Sequence, residues 1–222
     1  MGPLSPSHLT GYWGFHLAKY EISQGQFADF LSHASYAWSA PVSDRNRTQP
    51  GGLGFYSDRP DRAQGYISVV DFLTYCDWAA LRPATSFEYI KAVRGSFAPP
   101  SNPDSYLEYA WGIDTGATCG TTFSGAENGT EEFTAPSGSN CTCDGVTYIG
   151  GDGGQGPARV GIHAKTTTTD RRSSGAGYFG NLDLCGNVWE LLHSRAACVE
   201  CDLQQSLGKT HAGRRRPWSW WA

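Results

Sequence analysis

Apolar and polar positions fall into distinct rhythms over the first 95 residues. In "GFHLAKYEIS", Phe15, Leu17 and then Tyr20 to Ile22 are spaced for a strand. Ser23 follows as an N-cap, with Gln26 three residues later at the capping-box spacing. Phe27, Phe30 and Leu31 then recur at helical intervals, which predicts a helix burying that face. The rhythm lapses over residues 34–66, where "QPGGLG" and "SDRPDRAQG" read as loops.

A second helix is predicted from "ISVVDFLTYCDWAALRP". Ser68 caps it, Val69, Phe72, Leu73, Cys76 and Ala80 are spaced to face a core, and Pro83 stops it. A third starts in "ATSFEYIKAVRG". Thr85 is its cap, Glu88 its third residue, and Gly95 its left-handed end. Arg94 in the last turn suits the helix dipole. Phe87 with Ile90, and Tyr89 with Val93, form apolar pairs along it. Between residues 96 and 160 regular structure almost disappears. Tyr109 and Trp111 on one side and "ARVGIHA" on the other frame this stretch as an ordered loop, with "RVGIHA" a short strand.

Composition changes the picture from helical to loop-rich. Gly at 28 and Pro at 12 in 222 residues imply many turns. Eleven Tyr, ten Phe and eight Trp supply buried area from few side chains, with Trp111 and Trp189 expected as large apolar plugs. The formal charge of −4 argues against a general nucleic-acid surface, and no apolar run is long enough to span a bilayer. "MGPLSPSHLTGYWGF" lacks a basic start followed by an apolar run, so no signal peptide is visible. That fits a cytoplasmic chain or a secreted form whose beginning lies elsewhere. Cysteine is odd in number, seven, and Cys198 with Cys201 is a single CxxC, weak as a zinc signal. Asn46, Asn128 and Asn140 head glycosylation triplets, which are common by chance.

Four segments in order carry a resemblance: "KYEISQGQFADFL" at 19–31, "SVVDFLTYCDWAALRPATSFEYIKAVRG" at 68–95, "YAWG" at 109–112 and "GNLDLCGNVWE" at 180–190. Together they resemble the formylglycine-generating enzyme family, also called sulfatase-modifying factor proteins. "RPAT" at 82–85 stands where that family reads R-L-P-T. The resemblance implies an α+β fold of the C-type-lectin-like kind, loop-rich with a few helices and short strands. "SSGAGYFGNLDLCGNVWE" looks closer to the branch of variable proteins diversified by retroelements. On this reading residues 11–192 form the domain, incomplete at its C-terminal end, and residues 193–222 form an atypical tail.

The turn from Asp183 to Glu190 offers oxygen at close range, and calcium takes six to eight oxygens. The resemblance implies calcium held by the Asp183 and Glu190 side chains and the Gly186 and Val188 carbonyls. The same two carboxylates would serve equally as caps of a tight turn. A second calcium site is implied at Asp152 and Gly154. Copper, which the family's oxidases hold between two cysteines, is expected only in a complete catalytic form. Cys198 and Cys201 come too early and too close together to match that pair, and no R-G-G-S-W-like segment follows Glu190. A related iron enzyme of the ergothioneine type is disfavoured, because the six His stand at 8, 16, 33, 163, 193 and 211 with no helical H-x-x-x-H. Two readings stay open. One is a non-catalytic scaffold that binds a protein or small ligand. The other is a fragment of an oxidase that converts a sulfatase cysteine to formylglycine. Neither involves specific nucleic acid or a membrane span.

Overall fold

The computed structural model describes residues 14–34, 49–65, 67–95, 109–112, 116–125, 128–142 and 157–193. Three helices carry the first half. α1 (Gln24–His33), α2 (Val69–Trp78) and α3 (Ser86–Arg94) each open on a reciprocal capping box, Ser23 with Gln26, Ser68 with Asp71 and Thr85 with Glu88. Each box satisfies two backbone N–H groups that the first helical turn leaves without partners. Replacing Ser68 with alanine is therefore expected to cost about 1 kcal/mol. Thermal unfolding should show this as a midpoint lower by about 2–4 °C.

Two hairpins were not predicted. β1 (Gln49–Gly51) pairs antiparallel with β2 (Gly54–Tyr56) around Gly52 and Leu53. Ser32 Oγ on α1 accepts from the Phe55 amide at 2.8 Å and so holds this hairpin to the helix. β3 (Thr122–Ser124) pairs with β4 (Glu132–Ala135), with a shift in register after Thr122. A four-residue helix, α4 (Arg171–Ser174), completes the described elements. A few helices and two small antiparallel sheets are compatible with an α+β class. No helix among the described residues is long and apolar enough to cross a membrane.

The strands expected over 15–22 and 159–164 are not strands. Residues 14–18 join no sheet, and Val160 to His163 form a turn. What exists instead is a line of single rungs. Ser23 pairs with Ala63, and Arg62 with Arg159. Gln64 N donates to Ile22 O at 2.7 Å, and Ala63 N to Ala158 O at 3.1 Å. Three chain segments thus lie side by side for about one residue pair each, too briefly to leave a period-2 signal.

The described core is divided. Phe27, Phe30, Leu31 and Tyr75 form one cluster, with the Phe30 and Tyr75 rings edge to face at 5.5 Å. Tyr89, Val93, Ala110, Trp111, Cys141 and Leu184 form a second, and Phe133, Ala158 and Ile162 a third. α2 turns in only part of the face its spacing predicts. Cys76 is buried and Phe72 partly covered as expected, but Val69 and Leu73 are nearly half exposed and Ala80 is exposed, while Asp71 and Tyr75 are buried instead. Tyr75 decides the orientation by packing on both phenylalanines of α1. α2 also ends earlier than Pro83, at Trp78, because Ala80 takes a left-handed φ of 54°.

α3 is the element that positions the site. Arg82 grips Glu88 with two nitrogens, at 2.6 and 2.8 Å, and this pairing holds the Glu88 carboxyl down to about 2. At the far end Gly95 has φ 76°, and the Tyr178 ring lies where its Cβ would stand. The Tyr178 amide donates to the Ala92 and Val93 carbonyls, which fastens the chain entering the 180s to the end of α3.

Candidate functional site

The turn at 183–190 is built from left-handed residues. Asp183 has φ 59°, Gly186 103° and Asn187 68°. A side chain at Gly186 is excluded, because its Cβ would stand 1.6 Å from the Thr142 carbonyl oxygen. Aspartate and asparagine tolerate such backbone better than other residues with a Cβ. The turn is anchored against α3 on one side. Tyr89 Oη donates to Leu184 O at 2.9 Å and to Glu190 Oε1 at 3.2 Å. His193 N then donates to Ala84 O at 2.8 Å, just before the Thr85 cap.

On its other side the turn reaches the N-terminal segment. Asn187 is the clamp. Its Oδ1 accepts from Ala158 N at 2.7 Å, its Nδ2 donates to Glu21 Oε2 at 2.6 Å, and its backbone N donates to Thr142 O at 3.1 Å. Val188 N donates to the other Glu21 oxygen at 3.1 Å. Asp183 Oδ2 accepts from Gly161 N. Glu21, Asp183 and Glu190 are therefore held by donors from three separate stretches of chain.

Three carboxyls in so small a space do not all ionise freely. Burial pushes Glu21 well above the usual carboxylate range, and the charges of Asp183 and Glu190 push it further. Burial raises Asp183 to about 6, against the opposing pull of the Gly161 amide and the Arg159 guanidinium. Arg159 is shared, since it also lies 3.6 Å from Glu131 Oε2 and donates to the Glu131 carbonyl. Tyr89 is pushed well above its ordinary value by burial and by the neighbouring Glu190 charge.

Of the predicted ligands, Asp183, Gly186, Val188 and Glu190 all fall in this turn. Asp152 and Gly154 lie outside the described residues, as do Cys198 and Cys201. Asn128 closes its own small turn by accepting from the Thr130 amide and hydroxyl. Asn140 is 4% exposed and uses its amide on Thr118, Gly116 and Arg172, so this triplet is a structural clamp. Trp189 is not the core plug its size suggested, being 44% exposed, whereas Trp111 is buried and stacks on Tyr109 at 4.8 Å.

The turn offers oxygen, the kind of donor a hard cation takes. All the side-chain donors are oxygens, and among the described residues no hydrogen bond reaches the Gly186 or Val188 carbonyl. Three metal-binding side chains are not gathered on one point among the described residues, so such a cation would depend on those carbonyls. Glu21 and Asn187 were missed as site residues. Their signal was present in the sequence, as the acid of "KYEIS" and the asparagine of "GNVW", yet nothing in either segment names the other as its partner.

His163, also missed, sits behind the turn. It is buried and stacks on Phe133 at 5.1 Å. Its Nδ1 faces Ser139 O at 3.1 Å and its Nε2 faces Thr142 Oγ1 at 3.0 Å. A carbonyl only accepts, so this geometry assigns the proton to Nδ1 and leaves Nε2 to accept from the hydroxyl. Burial lowers this imidazole to about 4, helped by the charges of Lys165 and Arg159.

Neither the curated proteins nor the solved structures contain a match to this chain. The family model of the sulfatase-modifying factor enzyme 1-like domain matches residues 4–215, nearly the whole length. That family implies a C-type-lectin-like fold, with which the short helices and hairpins are compatible. The ordered turn, its α3 anchor and this match over most of the chain together mean that the protein belongs to the sulfatase-modifying factor enzyme 1-like domain family.

Proposed function

We propose that this chain is a binding scaffold, presenting a ligand surface on a lectin-like frame, with calcium seated in the 183–190 turn. The observation that carries the reading is the use made of the turn's polar groups. Glu21, Asn187 and Tyr89 are committed to joining chain segments, as a frame requires. The oxygen donors of Asp183 and Glu190 and the carbonyls of Gly186 and Val188 fit calcium by their chemistry. When bound, the ion would neutralise carboxyls that otherwise repel one another. The closeness of "SSGAGYFGNLDLCGNVWE" to the retroelement-diversified branch also favours a binding role.

Two of the three free thiols among the described residues support the same reading. Burial raises the Cys76 thiol, and raises Cys141 to about 11. Thiolates are the forms that ligate soft metals and attack as nucleophiles, and these two sites disfavour them.

The second reading, a formylglycine-generating oxidase, has family membership in its favour. The two separate by product. The protein, loaded with copper and incubated in air with a sulfatase-like cysteine peptide, is expected to form no aldehyde from the peptide cysteine by mass spectrometry. Enzyme-dependent conversion of that cysteine to an aldehyde would overturn the scaffold reading.

A further inference from the structure

We propose that a cleft lined by residues 14–17 and 179–181 binds an extended acidic peptide, which adds as a strand along residues 14–17. The cleft encloses about 670 Å³, within the ordinary range of ligand pockets. Phe15, Leu17, Lys19, Lys91 and Phe179 are the lining residues that matter, and no Asp or Glu is among the described residues around it.

The first argument is the backbone. Residues 14–18 form no helix, turn or bend, and their burial alternates: Phe15 and Leu17 are partly covered, while Gly14, His16 and Ala18 are exposed. This is the period of a strand with one face against the protein. Among the described residues, no hydrogen bond engages the backbone of Phe15, His16 or Leu17. Just beyond them the chain is fixed. Asn181 Nδ2 donates to Ala18 O at 2.8 Å, and Leu182 N donates to Lys19 O at 2.8 Å. An edge with open donors and acceptors, held rigidly at one end, is the template used in strand addition. Four residues of edge span about 13 Å, enough to pair with a peptide of similar length.

The second argument is charge. Lys19 and Lys91 bring two ammonium groups to one cleft, in a chain whose formal charge is −4. The Lys91 ammonium lies over the Phe15 ring at 5.5 Å and the Lys19 ammonium over the Tyr20 ring at 5.4 Å. Both heads are thus positioned on aromatic faces at the cleft. A local positive field on a negative protein concentrates anions there. The third argument is the apolar floor. Phe179 is 59% exposed, with Tyr178 edge to face beside it at 4.9 Å. Main-chain pairing would hold the ligand, with Lys19 and Lys91 selecting acidic side chains and Phe15, Leu17 and Phe179 receiving apolar ones.

The inference rests on the scaffold reading for the kind of work this cleft does, and its test is independent of the aldehyde assay. The probe is a fluorescein-labelled hexapeptide of alternating glutamate and valine, titrated with the intact protein by fluorescence anisotropy. Saturable binding is expected, weakening as salt rises, because exposed charges are screened within about 8 Å at physiological ionic strength. The paired substitution Lys19→Glu and Lys91→Glu should weaken binding at least tenfold, and Lys19→Gln with Lys91→Gln a few-fold, with thermal midpoints confirming that both variants fold. N-methylation of alternate peptide nitrogens on the pairing edge should weaken binding about tenfold without changing charge. Equal binding of a lysine–valine peptide, or indifference to the lysine substitutions, would overturn the proposal. So would indifference to N-methylation, or full competition by free glutarate at the peptide's own concentration, since either would reduce the cleft to a site for small anions.

Discussion

Asp183→Asn is expected to stabilise the protein in chelator and to weaken it, relative to wild type, in calcium. The carboxyl is buried and titrates near 6 rather than its usual 3.8. Above pH 6 the folded state must carry that charge where water is scarce, a penalty of up to about 3 kcal/mol. Asparagine removes it and keeps the oxygen that accepts from Gly161 N, and it tolerates the φ of 59°. It also removes one of the two charges that push Glu21 upward. A gain of about 2 kcal/mol at pH 7 is expected, or a midpoint higher by about 4–8 °C. In calcium the order should invert, because a ligand at 100 times its dissociation constant adds about 2.7 kcal/mol to the form that binds it. Calorimetry of both proteins in chelator and in calcium checks this. An unchanged wild-type midpoint on adding calcium would remove the ion from the turn.

Acidification should expose a balance between His163 and Asp183. The His163 imidazole titrates near 4 when folded and near 6.5 when unfolded. Its contribution is whole above pH 6.5 and is lost as pH falls towards 4, by about 3 kcal/mol. Asp183 has the opposite sign. Its raised carboxyl favours the folded state fully below 3.8, and that advantage is lost as pH rises through 6. The two slopes overlap between about pH 4 and 6 and largely offset one another in wild type. His163→Gln should therefore gain stability relative to wild type on moving from pH 6.5 to 4, and Asp183→Asn should lose it. Urea unfolding midpoints at half-unit pH steps, taken as differences from wild type, measure both. Parallel profiles for all three proteins would mean that neither group is held at the shifted value.

The features legible in the sequence were those whose partners are close by. Ser23, Ser68 and Thr85 find their capping partners three residues on, so the spacing alone locates three helix starts. The face that α2 buries was legible only in part, at Cys76 and Phe72, since the rest depends on Tyr75 meeting Phe27 and Phe30 from a separate helix. Trp189 misled because size predicts burial only where a cavity exists to take it. The short strands were misplaced for a related reason: single rungs at Ser23 and Arg62 leave no alternation to read. At the turn, Asp183 and Glu190 were visible as an acidic pair in one motif. Glu21 and His163 were not, because what gives them their roles lies elsewhere in the chain: Asn187 for the first, and Ser139 with Thr142 for the second.

Asn187 also bears on how the chain comes off the ribosome. Its amide reaches back 166 residues to Glu21 and 29 to Ala158, and its own nitrogen holds Thr142. Contacts of such separation form late and slowly, since the chain must close long loops before gaining from them. The N-terminal carboxylate is made early and can meet its donors only after nearly the whole domain has been synthesised. Until then α1, its hairpin and the rungs joining residues 22–23, 62–64 and 158–159 can assemble, but the Glu21 carboxylate and the Thr142 carbonyl lack the donor that ties them together. A nascent chain paused short of residue 187 should therefore be open to protease around Glu21 and Thr142, and the addition of a few further residues should close them together.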